Sequence, residues 1–184
     1  VATSAMQKAT NRETFLNRVY MATGINVAAI DEAEETRLTY LSVQDLLPRE
    51  PGLQKGDALG IEVGGGDTEL LLLRDGHVSY SNTFRLGTLR MRETLGTQHT
   101  STQRTLATFI RHIQISVDQI KRSVPTARTP ILIASSGDAR FAAAHLVSDW
   151  KEVPEARLDI KAFAAFAKKI APLTQDELVR KYRI

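Results

Sequence analysis

The chain has 184 residues, 42% hydrophobic and 24% charged, which is room for one ordinary globular domain, or one with part of another, and argues against wholesale disorder. A formal charge of +3 is too small to argue for a nucleic-acid partner, and the basic pairs Lys121-Arg122 and Lys168-Lys169 read as solvated helix faces. With no cysteine, disulfides and thiol catalysis are excluded, and any metal must be held by oxygen or histidine. No stretch approaches the roughly 18–20 apolar residues of a membrane helix, and no signal-type segment opens the chain, so no membrane partner and a cytoplasmic location are expected. The first residue is Val1 rather than methionine, which reads as a processed or excised piece.

In chain order, residues 1–4 read as the end of a strand. Asn11 stands where it can cap a helix running to about residue 23, with Phe15, Leu16 and Val19 on one face and Gly24 at its C-terminal cap. The apolar run 25–30 reads as a strand. An acidic helix follows over 31–47, with Leu38, Leu41 and Leu46 as its apolar positions. Residues 48–56, with two prolines and two glycines, form the best linker candidate.

Three strands come next, over 58–63, 68–74 and 77–86. The second and third are joined by the hairpin signal Asp75-Gly76, and the set predicts an antiparallel meander. A long amphipathic helix is predicted over 101–123, then a buried-type strand over 130–134, parallel to the first strand of the meander. Helices over 139–147, 160–170 and 174–183 complete the chain, the last opening with Thr174 and Glu177 at capping-box spacing. The pattern is that of a layered α/β domain.

The sharpest chemical feature is the stretch IEVGGGDTELLLL, residues 61–73. Three glycines between apolar strands let backbone N–H groups approach a bulky anion such as phosphate. A strand follows, so it is neither a Walker loop nor a dinucleotide fingerprint. Glu62, Asp67 and Glu69 flank it and suit a hard cation such as Mg²⁺. The bland alternative is a flexible connection with solvent-facing acids, although fewer glycines would make a turn.

The turn Ser135-Ser136-Gly137-Asp138 could place an anion at a helix start, but taken alone Ser136 or Asp138 reads more simply as the helix cap. The acids of 31–37 are mostly explained by the helix dipole, and residue chemistry does not choose which of them could be a general base. His77, His99, His112 and His145 show no metal-ligand spacing, and Trp150 and the tyrosines read as packing residues.

The succession VATSA (1–5), EETRLTYLSV (34–43), GGGDTELLLL (64–73), FRLGTLR (84–90) and ASSGDAR (134–140) resembles the Ppx/GppA family of exopolyphosphatases and guanosine pentaphosphate phosphohydrolases, whose members read VATSA, EEARL, DIGGGSTEL, PLGAVR and a short SGT-type loop. The resemblance implies a partial ribonuclease H-like fold of the actin, sugar kinase and chaperone-ATPase superfamily: a mixed sheet with an antiparallel meander and flanking helices. On that pattern residues 1–47 would close a first such domain, 48–56 link, and 57–184 supply most of a second.

It implies removal of terminal phosphate from polyphosphate or guanosine pentaphosphate with Mg²⁺, and leaves room for a homodimer. Glu35 matches the base for the attacking water. Glu62 stands at the metal-site aspartate, and Glu69 is the acid serving both catalysis and metal. Gly64, Gly65, Gly66, Asp67 and Thr68 form the phosphate loop, and Ser136 and Gly137 match the later loop.

The sequence departs from the pattern at Glu62 for aspartate, Asp67 for serine, Asp138 for threonine and Gln7 for arginine, which points to altered specificity or weakened activity. The family's other phosphate loop, of DxGSNS type, is not in this stretch, so the stretch alone is expected to be catalytically silent. A phosphate- or nucleotide-sensing module and a kinase-like ATPase stay open as alternatives.

Overall fold

The computed structural model describes residues 1–96, 102–125, 131–153 and 155–183. They form two compact units, Val1–Ala134 and Ser135–Ile184. The first holds α1 (Ser4–Lys8), α2 (Arg12–Thr23), α3 (Glu32–Gln44), α4 (Pro51–Gln54), β1 (Asp57–Val63), β2 (Thr68–Arg74), β3 (His77–Phe84), α5 (Thr88–Gly96), α6 (Thr102–Ser123) and β4 (Ile131–Ala134). The second holds α7 (Gly137–Leu146), α8 (Ile160–Ile170) and α9 (Gln175–Tyr182).

One four-stranded sheet, in the order β3-β2-β1-β4, organises the first unit. β1, β2 and β3 are the expected antiparallel meander, and β4 lies parallel to β1. Asp75 (φ 49°) and Gly76 (φ 78°) both take the left-handed backbone that a tight hairpin turn requires.

The core follows from strand alternation. Ala58 and Gly60 of β1 share a sheet face with their partners Leu73 and Leu71 of β2. Val43 of α3 and Leu53 of α4 pack there, with Tyr40, Leu46, Leu47 and Ile133 at the margin. Leu70 and Leu72 point to the opposite face and are buried as well. Each buried leucine contributes about 1.5–3 kcal/mol, so the β2 run LLLL is the principal hydrophobic anchor.

Several expectations are corrected. Residues 1–4 and 25–30 are not strands: Ala2 and Ala29 make one isolated parallel bridge, and the chain turns at once into α1. Among the described residues neither run pairs beyond that bridge. Asn11 holds the N-cap position of α2 without a side-chain cap bond, and α2 buries none of its residues; Gly24 does cap it, in the left-handed conformation.

Asp31 is the N-cap of α3, accepting from the Glu34 N–H at 2.8 Å. The helix buries Val43, while Leu38 and Leu41 stay more than a third exposed. The expected linker carries α4 and sends Leu53 into the core. The third strand stops at Phe84, not at residue 86. β4 has the composition of a buried strand, yet Ile131 and Leu132 are about half exposed, because β4 is an edge strand of the described sheet. Ser101, His99 and Pro130 lie outside the described residues.

The element the sequence did not announce is α5. Its first N–H groups are satisfied not by a local capping side chain but by distant carbonyls: Thr88 N–H donates to Gly64 O (3.1 Å), and the Leu89 and Arg90 N–H groups to Gly65 O (2.8 and 3.0 Å).

In the second unit, Ser136 caps α7 by accepting from the Ala139 N–H at 3.1 Å, and Thr174 with Glu177 completes the expected capping box of α9. Phe141, His145, Phe166 and Tyr182 form an aromatic cluster with centroids 4.5–5.8 Å apart, giving His145 a structural role.

Candidate active site

At the loop end of the sheet, the face that is apolar further down becomes acidic. Glu62 of β1 lies directly opposite Glu69 of β2, and Glu69 opposite Thr83 of β3, so the three side chains form one row. Two acids as cross-strand partners repel one another, and a sheet selected only for stability would not place them so. The row borders a cleft of about 160 Å³, which Thr3, Glu35 and the loop residues Gly64, Gly65, Gly66 and Asp67 complete.

The glycine loop is held from behind. Its carbonyls at Gly64 and Gly65 receive the first N–H groups of α5, and Arg90 donates from Nε to Gly66 O at 2.6 Å. Arg90 also pairs with Asp67 Oδ1 at 3.1 Å, which offsets the charge of the acid standing in the loop. Gly64 N–H bonds to Asp67 O at 2.9 Å and closes the turn. Among the described residues the Gly65 and Gly66 N–H groups have no protein acceptor, and both residues line the cleft. A side chain at Gly87 would overlap Gly65 O and Gly66 C, so the glycine of FRLGTLR is what lets α5 reach the loop. Thr68 is buried and donates its hydroxyl to Leu86 O, which closes the loop's far end.

Glu69 is buried to 8% exposure and accepts from two hydroxyls of α3, Thr36 Oγ1 to Oε1 at 2.6 Å and Thr39 Oγ1 to Oε2 at 2.7 Å. Glu35, the residue before Thr36, borders the cleft. Burial pushes its carboxyl above the ordinary carboxylate value, and the charges of Glu69, Glu62, Asp67 and Glu32 push it further. Its neighbour Glu34 is instead held down by a forked pair with Arg37, at 2.7 Å on both arms.

Of the residues singled out from sequence, Glu35, Glu62, Gly64, Gly65, Gly66, Asp67 and Glu69 meet in this cleft, with Thr68 as its buried anchor. Ser136 and Gly137 belong to the second unit, as cap and first residue of α7. Sequence reasoning missed Thr36, Thr39, Gly87 and Arg90. The i, i+3 spacing of the two threonines puts them on one helix face and could have flagged them. A larger hollow of about 530 Å³ lies along α2, but Thr14, Asn17, Arg18, Met21 and Ala22 of that single helix line it, and it holds neither acids nor loop amides.

No group of three or more acids or histidines among the described residues converges as a ready cation cage. The cleft nonetheless concentrates carboxylates whose repulsion registers at Glu35, and the hydroxyls on Glu69 carry no compensating charge. Such a site suits a hard cation held by one or two carboxylates and otherwise by water or ligand oxygens, which is the habit of Mg²⁺.

A mixed sheet of this order, with helices laid on it and an acid-flanked glycine loop at the meander's first turn, falls in the ribonuclease H-like α/β fold class that the sequence pattern implies. Within that class the chain belongs to the Ppx/GppA phosphatase family, whose model matches residues 1–181.

It is similar to exopolyphosphatase 1 of Mycobacterium tuberculosis, 39% identical over 69 residues, which is 38% of this chain and 19% of that protein. Among solved structures it resembles an exopolyphosphatase from Cytophaga hutchinsonii (20% identity, TM-score 0.77, 96% of this chain and 57% of that one). It also resembles the Ppx/GppA family member of Aquifex aeolicus (22% identity, TM-score 0.70, 99% and 57%). The chain thus spans a little over half the length of these structures. No helix among the described residues is long and apolar enough to cross a membrane.

Proposed function

We propose that this chain supplies one wall of a phosphohydrolase site that removes the terminal phosphate of a polyphosphate chain, with guanosine pentaphosphate as the second substrate candidate. The observation that carries the reading is the cleft in which Glu35, the Glu62–Glu69 row and the unpartnered Gly65 and Gly66 amides come together. The names of the relatives, exopolyphosphatases, favour polyphosphate.

In this reading the Gly65 and Gly66 N–H groups bind oxygens of the terminal phosphoryl group and orient it. Glu35 takes a proton from a water as that water attacks phosphorus in line with the departing phosphate oxygen. Its raised pKa brings the base nearer to neutral pH, where such a base works best. Arg90 holds Asp67 to one side, so that acid repels the incoming phosphate less than its position suggests. A Mg²⁺ held by Glu62 and Glu69 would neutralise charge on the transferring group.

The test is phosphate release from polyphosphate by the intact protein, with and without Glu35→Gln. Turnover should fall about 10²–10⁴-fold while polyphosphate binding persists. Polyphosphate binding without turnover in either form would favour a sensing module, a reading prompted by the acid at Asp67 within the loop.

A further inference from the structure

We propose that Thr36 and Thr39 are positioning residues for Glu35: by donating to the two oxygens of Glu69 they clip α3 to β2 at the level of the cleft and fix where the Glu35 carboxylate stands. The inference rests on the reading of Glu35 as the base.

The argument begins with how α3 is anchored. Its C-terminal half is held by apolar packing, Val43 in the core and Tyr40 at its edge. Among the described residues its N-terminal half has no such anchor: Asp31 and Glu32 are exposed, Leu38 is more than a third exposed, and the Glu34–Arg37 pair lies within the helix. Upstream, Gln7 Nε2 holds Ile30 O at 2.7 Å, which ties the approach to α1 rather than to the sheet.

At the level of Glu35, α3 is bonded to the sheet by two hydroxyl contacts to Glu69, at 2.6 and 2.7 Å. Glu69 is itself a buried residue, paired on both sides in the β1–β2–β3 ladder and next to the anchored Thr68. Two bonds from residues three apart, one to each oxygen of a single carboxylate, fix both the rotation and the advance of the helix. Glu35, adjacent in sequence to Thr36, inherits that placement. A shift of about 1 Å in a base is enough to cost about 10²-fold in rate, so a clip of this kind has kinetic leverage.

The experiment uses the intact protein with T36V/T39V, which keeps side-chain shape and removes both donors, and T36S/T39S, which keeps the donors. Two readouts are taken: kcat and KM for polyphosphate, and hydrogen–deuterium exchange of residues 32–39 without substrate. The valine pair should lower kcat about 10–100-fold with KM within about twofold, and the serine pair should restore it. Exchange over 32–39 should be faster in the valine pair and near wild type in the serine pair. Unchanged exchange and kcat in the valine pair, or equal losses in both pairs, would overturn the clip. If the double valine variant does not fold, T36V and T39V singly are read the same way. If wild type shows no turnover, the hydrolase reading falls, and the exchange data alone decide whether the clip exists.

Discussion

Two short turns rich in small residues each follow an apolar strand, and the molecule uses them differently. At residues 64–67 the loop gives its carbonyls to a helix that starts some twenty residues later in the chain, and its Gly65 and Gly66 amides are left for the cleft. At residues 135–138 the turn serves the helix it opens, with the Ser136 hydroxyl on the Ala139 N–H. Composition is nearly the same in both places. What separates them is where the backbone partners come from: a turn capped over a long distance can expose donors, whereas a locally capped one spends its side chain on its own helix.

The sharpest way to test that contrast is to add one methyl group to each. Gly87→Ala forces a side chain into the back of the glycine loop, where Gly65 O and Gly66 C already stand, and should cost about 1–3 kcal/mol or more of stability, read by denaturant melts. Gly137→Ala meets nothing within 4 Å and should be neutral or slightly stabilising, by up to about 1 kcal/mol. Equal effects at the two positions would erase the distinction. Next in size, Ser136→Ala should cost about 1 kcal/mol, the usual worth of an N-cap hydroxyl, and no measurable loss would remove it from the capping role.

The smallest effect concerns charge. Glu35 titrates higher in the folded protein than in the unfolded chain, first through burial and then through the neighbouring acids. Its contribution to stability is therefore present below the unfolded value and lost as pH rises through the folded one. Glu35→Gln should gain stability relative to wild type between about pH 4 and pH 7, by less than about 1 kcal/mol because the group is partly solvated. Thermal melts at the two ends check this; a larger relative gain at the acid end would contradict the assignment.

Much of this was legible in the residues, and the failures share a cause. The meander and its Asp75-Gly76 turn could be read because period-two alternation and turn chemistry are local signals, whereas Glu35 is singled out only by the family resemblance. The start of α5 could not, because its cap lies at Gly64 and Gly65. Nor could the threonine clip: Thr36 and Thr39 look like indifferent helix residues until Glu69 arrives from 30 and more positions away. The runs at 1–4 and 25–30 have strand composition, but strands need ladders, and among the described residues these form one bridge.

The backbone donors of the loop carry the whole account, and amide NMR reads them directly. Titrating inorganic triphosphate with Mg²⁺ into the intact protein should move the Gly65 and Gly66 N–H resonances in a saturable way. Resonances of Gly65 and Gly66 that stay fixed while triphosphate binds would place the phosphate elsewhere and contradict the claim.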